Sequence, residues 1–100
     1  MSREDERRTL IAYDVPSDKR RARLAKTILS YGDRIQFSVF VVDISPAKLI
    51  QLKAKIAEKM DTEEDSVLFC DLGRTKTLTD EQFSFLGRKR EVTDSDVMII

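Results

Sequence analysis

The chain has 100 residues, of which 41% are hydrophobic and 36% are charged, and its 18 acidic and 18 basic side chains give a net charge of zero. This length and composition are typical of one small globular domain with a heavily charged surface. The absence of His and the presence of a single cysteine, Cys70, exclude imidazole catalysis, a disulfide framework and cysteine-based zinc sites. A bound metal would therefore need oxygen ligands, as Mg²⁺, Mn²⁺ and Ca²⁺ do.

The amino-terminal region is polar and charged after Met1. We expect residues 1–8 to be a flexible extension and residues 9–100 to form a single domain. The extension does not resemble a signal peptide, and no run of 18 apolar residues follows it, so we expect a cytoplasmic protein that does not enter a membrane. Thr9–Val15 then predicts a strand with apolar side chains on both faces.

Two helices and a long strand are predicted next. Pro16 ends the first strand, and Ser17 or Asp18 predicts the N-cap of a helix that continues to about Tyr31, with Gly32 as the residue after its end. Residues 34–44, RIQFSVFVVDI, predict a strand that is apolar on both faces. A serine followed by a proline, at positions 45 and 46, predicts the start of a second helix that continues to about residue 60.

The remaining strands complete a two-layer α/β sandwich. Ser66–Leu72 predicts a further strand, and Phe83–Gly87 and Val97–Ile100 predict short edge strands. Two helices can cover only one face of the sheet, so the second apolar face would be exposed to solvent. We therefore expect a symmetric dimer, in which the last strand is available to pair with an edge strand, including the partner's.

Asp14 is the first candidate for chemistry, because it lies at the end of an apolar strand. A carboxylate in this position can bind Mg²⁺ together with water molecules. It can equally accept hydrogen bonds in the turn before Pro16, and the local pattern alone favours this second interpretation. Asp43 and Asp71 also lie near strand ends, so three acids that converge on a two-metal centre are possible, although turn or cap residues are the simpler interpretation.

A run of basic residues is the second candidate. It includes Lys19, Arg20, Arg21, Arg23 and Lys26, and no Glu interrupts it. Arginine side chains form bidentate contacts with phosphate, and clustered positive charge suits a nucleic-acid backbone. A solvated helix face is the alternative, and contact with phosphate is slightly favoured because the rest of the chain has balanced charge.

Three segments together resemble a known family. They are YDVPSDKRRAR (Tyr13–Arg23), YGDRIQFSVF (Tyr31–Phe40) and DSVLFCDL (Asp65–Leu72), the last followed by a glycine. Their order and spacing resemble the small CRISPR-associated adaptation proteins of the Cas2 family over most of residues 10–87. The resemblance implies a homodimeric, ferredoxin-like α+β fold of order βαββαβ with an extra carboxyl-terminal strand. It also implies that residues 34–44 form two strands bent near Gln36–Ser38.

The resemblance further assigns site residues. Asp14 corresponds to the metal-binding acid of the family and is preceded by Tyr13, which implies Mg²⁺ or Mn²⁺ as the cofactor. Asp71 lies where the sequence departs from the family pattern and inherits no role. The implied catalytic residues are Asp14, Tyr13 and Ser38. The implied nucleic-acid-binding residues are Arg20, Arg21, Arg23, Arg34 and Phe40, with Arg20 as a neighbour of matched positions.

The resemblance implies one function and leaves alternatives. The implied function is a metal-dependent endonuclease that acts on RNA or double-stranded DNA and takes part in the acquisition of foreign DNA with the Cas1 integrase. One acid per chain, no His and no evident general base make a sparse nuclease, so a non-catalytic DNA-binding scaffold of the integrase complex is the alternative. A toxin-like ribonuclease of the VapD type is a third possibility.

Overall fold

The computed structural model describes residues 5–88. In chain order the elements are β1 (Arg7–Asp14), α1 (Asp18–Leu29), β2 (Gly32–Gln36), β3 (Val39–Ile44), α2 (Pro46–Lys59) and β4 (Ser66–Arg74). Two single-turn 3₁₀ helices follow at Thr75–Thr77 and Asp80–Gln82. The strands form one antiparallel sheet in the order β2-β3-β1-β4. The ferredoxin-like α+β fold is confirmed, and the extra strand predicted at residues 97–100 lies outside the described residues.

β1 lies in the middle of the sheet and pairs on both sides. Its register with β3 runs from Arg7 opposite Ile44 to Ala12 opposite Val39. On its other side β1 pairs with β4 as far as its last residue, with Ser66 opposite Asp14. Each helix connects two strands that are not neighbours, so the two β-α-β units interlock around β1.

The core fills the space between the sheet and the two helices. Along β1 the side chains at positions 9, 11 and 13 are buried, whereas those at 10, 12 and 14 are more exposed, which is the two-residue period of a strand. The odd-numbered positions of β1 therefore face the helices. The core consists of Ile11, Tyr13, Val15, Leu24, Ala25, Ile28, Phe40, Val42, Ile44, Leu52 and Ile56.

The predicted helix starts are confirmed by their caps. The hydroxyl of Ser17 accepts a hydrogen bond from the N–H of Arg20 at 3.2 Å, and the hydroxyl of Ser45 accepts one from the N–H of Lys48 at 3.3 Å. Pro46 occupies the first helical position, where its missing N–H leaves no bond unmade. Neither helix within residues 5–88 has the length and apolar character that crossing a membrane would require.

Gly32 allows a close approach between strands and does not end α1 as predicted. α1 ends at Leu29, and Gly32 begins β2 without a positive φ angle. A Cβ atom at this position would overlap the carbonyl oxygen of Val41 and lie 2.6 Å from Cγ1 of Val42. Both residues belong to β3, so glycine is required because no side chain fits between the two backbones.

Other strand boundaries also differ from the predictions. β1 begins at Arg7, so residues 7 and 8 belong to the sheet and not to the flexible extension expected for residues 1–8, and β4 continues beyond Leu72 to Arg74. The prediction of an edge strand at Phe83–Gly87 is wrong, because these residues form no strand. Aromatic residues at alternate positions suggested a strand there, but no neighbouring strand pairs with them.

Residues 34–44 form two strands, as the family resemblance implied, and the single-strand interpretation is wrong. The chain reverses at Phe37–Ser38, a two-residue turn that contains neither Gly nor Pro. The N–H of Tyr13, in the neighbouring strand, donates a hydrogen bond to the carbonyl oxygen of Ser38 at 3.2 Å. This hydrogen bond ties the turn to the carboxyl end of β1.

The sheet face away from the helices is partly apolar. Leu10 and Ala12 are half-buried there, and Leu68, which pairs with Ala12, is 58% exposed. At the other end of the sheet the chain beyond β4 folds back toward β1. There Arg8 donates a hydrogen bond to the side chain of Gln82 at 2.7 Å. The predicted exposed apolar surface is therefore present near Leu68, and the dimer stays a prediction.

A buried ion pair fixes α1 to the loop before β4. The side chain of Asp65 is fully buried and accepts hydrogen bonds from Nε and Nη2 of Arg20 at 2.7 and 2.9 Å. It also accepts a hydrogen bond from the N–H of Asp61 at 2.8 Å. The hydrogen bond from Arg20 is the main reason that the pKa of Asp65 lies below its ordinary value, and burial of the carboxylate opposes this shift.

We predict that Gly32→Ala destabilises the protein. The added methyl group must push β2 away from β3, and overpacking of this kind costs about 1–3 kcal/mol of unfolding free energy. Urea denaturation followed by circular dichroism would measure the change. An unchanged midpoint would show that the two strands do not approach as closely as described.

We also predict that the stabilising effect of Asp65 depends on pH. Because its pKa is lowered in the folded state, its contribution is complete above the unfolded pKa of about 3.9 and is lost as the pH falls through the folded pKa. Asp65→Asn should therefore have a lower Tm than the wild type at pH 7, and the difference should shrink as the pH falls below about 4.

Asp18→Asn is the matched control for this experiment, since Asp18 pairs with Arg21 but its side chain is 93% exposed. Exposed ion pairs contribute little to stability, so this variant should unfold close to the wild-type Tm at both pH values. A Tm difference for Asp65→Asn that stays constant from pH 7 to pH 3 would contradict the prediction.

Candidate functional site

Several elements meet at the carboxyl end of β1. β4 begins there, since Ser66 pairs with Asp14. The turn between β2 and β3 lies beside it, through the hydrogen bond between Tyr13 and Ser38. α1 begins only four residues after the end of β1, at Asp18. One end of the sheet thus gathers a strand end, a hairpin turn and the first turn of a helix.

Asp14 is exposed at this end of the sheet. Tyr13 points into the core, so the alternation of the strand directs the carboxylate of Asp14 to the face away from the helices. Within residues 5–88 the structure shows no hydrogen bond or ion pair to this carboxylate. Its oxygen atoms are therefore accessible to a cation, to water or to a ligand.

The other two strand acids do not join Asp14. Asp43 accepts hydrogen bonds from Arg8 at 2.8 and 2.9 Å, and Asp71 accepts from Arg7 at 3.0 Å. Both pairs lie at the amino end of β1, about 17–20 Å along the strand from Asp14. The possibility of three acids that converge on a two-metal centre is therefore wrong.

The hydrogen bonds of Asp71 give it a structural role. The backbone N–H of Gly73 donates to its carboxylate at 2.9 Å, and this bond, followed by the hydrogen bond from Arg7, lowers the pKa of Asp71. The carboxylate thus stabilises the irregular end of β4, where Gly73 has a φ of +114°. Asp71 behaves as the turn residue that its position near a strand end indicated.

The donor set around Asp14 fits a hydrated cation better than a closed metal site. No group of three or more His, Cys, Asp or Glu side chains within residues 5–88 is arranged to hold a metal ion. Mg²⁺ commonly keeps several water ligands and binds one or two carboxylates, so a single exposed Asp14 per chain is compatible with it. Two copies of Asp14 related by a two-fold axis would supply the second carboxylate.

The basic residues of α1 have different environments. Arg20 forms the buried ion pair with Asp65, so its guanidinium has a structural role. Nη1 of Arg21 donates to the carbonyl oxygen of Val15 at 2.6 Å, and its Nη2 contacts Asp18. Arg21 therefore lies against the end of β1, and its side chain keeps 27% exposure. Arg23 is exposed on the outer surface of α1.

The predicted aromatic contact with nucleic acid is not available at Phe40. Its ring is fully buried and packs against the ring of Tyr13, with the centroids 5.6 Å apart. A buried ring does not contact nucleic acid directly, so the structure assigns Phe40 to the core. Tyr13 is 8% exposed and orients the end of β1. Catalytic roles for Tyr13 and Ser38 stay predictions.

Phe37 is exposed where Phe40 is not. Its side chain is 69% exposed in the turn between β2 and β3. The guanidinium carbon of Arg34 lies 5.8 Å from the centroid of this ring and 5.1 Å from that of Phe40. Sequence reasoning missed Phe37, because in a single long strand that is apolar on both faces its side chain would be one of the buried ones. The signal was the turn itself, which only the family resemblance indicated.

The helix layer carries more positive charge than α1 alone suggested. α1 has five Lys or Arg residues and one acid, and α2 has four Lys residues and one acid. In α2, Lys53 lies 4.9 Å from the ring centroid of Phe69, and Lys55 lies 5.2 Å from that of Tyr31. A chain with zero net charge thus concentrates positive charge on its helical face. The repeated lysines of PAKLIQLKAKIAEK were the available signal.

Comparisons with known proteins agree with this fold. Residues 7–80 match the family model described as CRISPR associated protein Cas2. A protein of Synechocystis sp. named CRISPR-associated endoribonuclease Cas2 3 is 40% identical over 72 residues, which cover 71% of this chain and 78% of the relative.

Solved structures show the same similarity. The crystal structure of Streptococcus pyogenes Cas2 at pH 6.5 has a TM-score of 0.70 and 30% identity, and the alignment covers 80% of this chain and 99% of that one. A chain of a partial Cas6-RT-Cas1–Cas2 complex has a TM-score of 0.62 and 29% identity over 87% of this chain and 97% of its own length. With the family match over residues 7–80, these likenesses show that the chain belongs to the Cas2 family of CRISPR-associated proteins.

Proposed function

We propose that the protein acts in CRISPR adaptation as a homodimeric, metal-dependent endonuclease of the cytoplasm. The observation that carries the proposal is Asp14, an exposed carboxylate without a partner in residues 5–88, at the sheet end that also holds Arg21 and the β2–β3 turn. Relatives are named endoribonucleases, which favours RNA over double-stranded DNA as the substrate.

The apolar sheet face supports the dimer in this proposal. Leu68 is 58% exposed on the face that also presents Asp14, and a small domain with such a surface gains stability by packing it against a second copy. In a symmetric pair each residue near the two-fold axis meets its own copy. Two Asp14 carboxylates near the axis would repel each other unless a cation lies between them.

Each residue has a distinct task in the proposed site. Asp14 would hold Mg²⁺ or Mn²⁺, and the bound ion would polarise the phosphate and lower the pKa of a bound water. Arg21, whose Nη1 donates to the carbonyl oxygen of Val15 beside the end of β1, would orient the phosphodiester and neutralise negative charge on it. Ser38 and Tyr13 fix the hairpin turn beside Asp14 through their backbone hydrogen bond.

A non-catalytic scaffold is the second candidate function. It is favoured by the positive charge of α1 and α2, which extends over a face much larger than one catalytic site needs. The similarity to a chain in a Cas1–Cas2 complex makes Cas1 the proposed partner in both cases. The two candidates share nucleic-acid binding and differ in whether a phosphodiester bond is cleaved at Asp14.

We predict that Asp14→Asn removes cleavage and preserves binding. Loss of the carboxylate charge should reduce Mg²⁺-dependent cleavage of labelled RNA by at least about 100-fold, as removal of a key charge-stabilising group does. Fluorescence anisotropy in EDTA should show wild-type affinity for the same RNA, because the arginine side chains are unchanged.

Asp71→Asn is the matched control, since it is another exposed acid of the same sheet but lies at the opposite end of β1. It should cleave like the wild type after identical purification. Equal cleavage by wild type and Asp14→Asn would attribute the activity to a contaminant. Absence of cleavage by the wild type, with tight binding of duplex DNA, would favour the scaffold.

We predict that nucleic-acid binding is strongly dependent on salt. A plot of log affinity against log salt concentration should be linear with a negative slope. If Arg23 neutralises one phosphate in the wild type, Arg23→Glu should make this slope shallower by roughly one. Arg74→Glu provides the control, because Arg74 is exposed at the end of β4 that is remote from Asp14. Affinity that does not change between about 50 and 200 mM salt would contradict both candidate functions.

A further inference from the structure

Phe37 is an aromatic side chain that the described residues 5–88 leave 69% exposed. Five large hydrophobic side chains are exposed within residues 5–88, and Phe37 is the aromatic member of this set. It occupies a two-residue turn, where a small polar residue would satisfy the backbone equally well. The fold therefore does not explain the presence of a phenyl ring at this position.

The guanidinium of Arg34 lies near this ring and carries an uncompensated charge. It is 5.8 Å from the centroid of Phe37 and 5.1 Å from that of Phe40. Its Nε is buried and has no hydrogen-bond partner, and no acid pairs with Arg34 within residues 5–88. Contacts with aromatic rings, and not an ion pair, thus set the position of this cation.

The pair lies at the same end of the sheet as Asp14. Arg34 is opposite Phe40 in the β2–β3 ladder, and Ser38, next to Phe37, accepts the hydrogen bond from the N–H of Tyr13. Asp14 is the next residue along β1. The backbone of the hairpin turn therefore lies beside the end of β1, with Arg34 on the helix-facing side of the sheet and the Asp14 carboxylate on the other side.

We propose that Phe37 and Arg34 form a stacking site for one unpaired nucleobase and its phosphate, at the end of the sheet that also bears Asp14. Exposed aromatic rings bind bases through their faces, and a base inside a duplex has both faces covered by its neighbours. Arg34 is placed to contact the phosphate next to the stacked base. The inference rests on the proposed nucleic-acid function and adds a contact that only an unpaired base can make.

The charge of Arg34 argues against a second copy of this chain as the group that covers Phe37. An apolar subunit interface over this ring would bury a guanidinium that forms no ion pair within residues 5–88 of its own chain. An anionic ligand compensates the charge instead. Association of two copies through Phe37 is therefore an outcome that the experiment must detect.

The test uses the full chain and two RNA probes in EDTA, so that no metal-dependent cleavage occurs. One probe is a single strand that contains 2-aminopurine, whose fluorescence is quenched when it stacks, and the other is the same sequence in a duplex. The variants are Phe37→Ala and Phe37→Tyr. Leu86→Ala is the control, since this fully exposed side chain lies in the segment beyond β4.

Phe37→Ala should bind the single strand about tenfold more weakly or worse, as expected for the loss of one base–aromatic stack, and should lose the change in 2-aminopurine fluorescence. Duplex affinity should stay within about twofold of wild type, because phosphate contacts dominate there. Phe37→Tyr and Leu86→Ala should bind both probes like the wild type. Circular dichroism and Tm should be unchanged in all variants, since the substituted side chains are exposed.

Three results would overturn the inference in distinguishable ways. Unchanged binding and quenching with Phe37→Ala would reject the stacking site and leave the proposed function intact. A change of Phe37→Ala from dimer to monomer in light scattering would make Phe37 a subunit contact instead. Failure of the wild type to bind either probe would reject the proposed function together with the inference.

Discussion

The alternation of side chains along β1 is the constraint on which the site depends. β1 is paired on both sides, so its register and its faces are fixed by two sets of backbone hydrogen bonds. Ile11 and Tyr13 must enter the core, and Asp14 must then point to the face away from the helices. A shift of one residue would bury this carboxylate and expose the tyrosine. The burial of the Tyr13 ring thus determines that the Asp14 carboxylate lies on the face away from the helices.

The remaining charged residues separate into structural and accessible sets. Arginine residues at the start of β1 pair with Asp43 and Asp71, and Arg20 pairs with the buried Asp65, so these three acids have partners within the fold. Asp14 is accessible because no arginine lies opposite it. A protein with equal numbers of acidic and basic residues can therefore combine a basic helical face with an accessible acid at one end of the sheet, since the other strand acids, Asp43 and Asp71, are paired with arginine residues.

Local patterns predicted the helices and the central strands, but they failed where the structure depends on packing between different segments of the chain. The caps at Ser17 and Ser45 identified both helix starts, because capping is a short-range interaction. The turn at Phe37–Ser38 contains no residue that local reasoning recognises as a turn, and only the family resemblance indicated it. Because of that turn, the ring of Phe40 lies in the core and the ring of Phe37 is exposed. Similarly, the close approach at Gly32 depends on β3 and leaves no local signal.

The position of β4 has a consequence for how the protein folds. β1 is made first, yet one of its two edges pairs with a strand that begins at Ser66, more than 50 residues later in the chain. Contacts at this sequence separation slow folding, because the intervening chain must be ordered before the pairing is gained. During synthesis, β1 presents an unpaired edge until β4 has emerged from the ribosome, and such edges favour aggregation. The end of the sheet that bears Asp14 is therefore completed only after Ser66 has been made, so the site needs the chain from β1 to the start of β4.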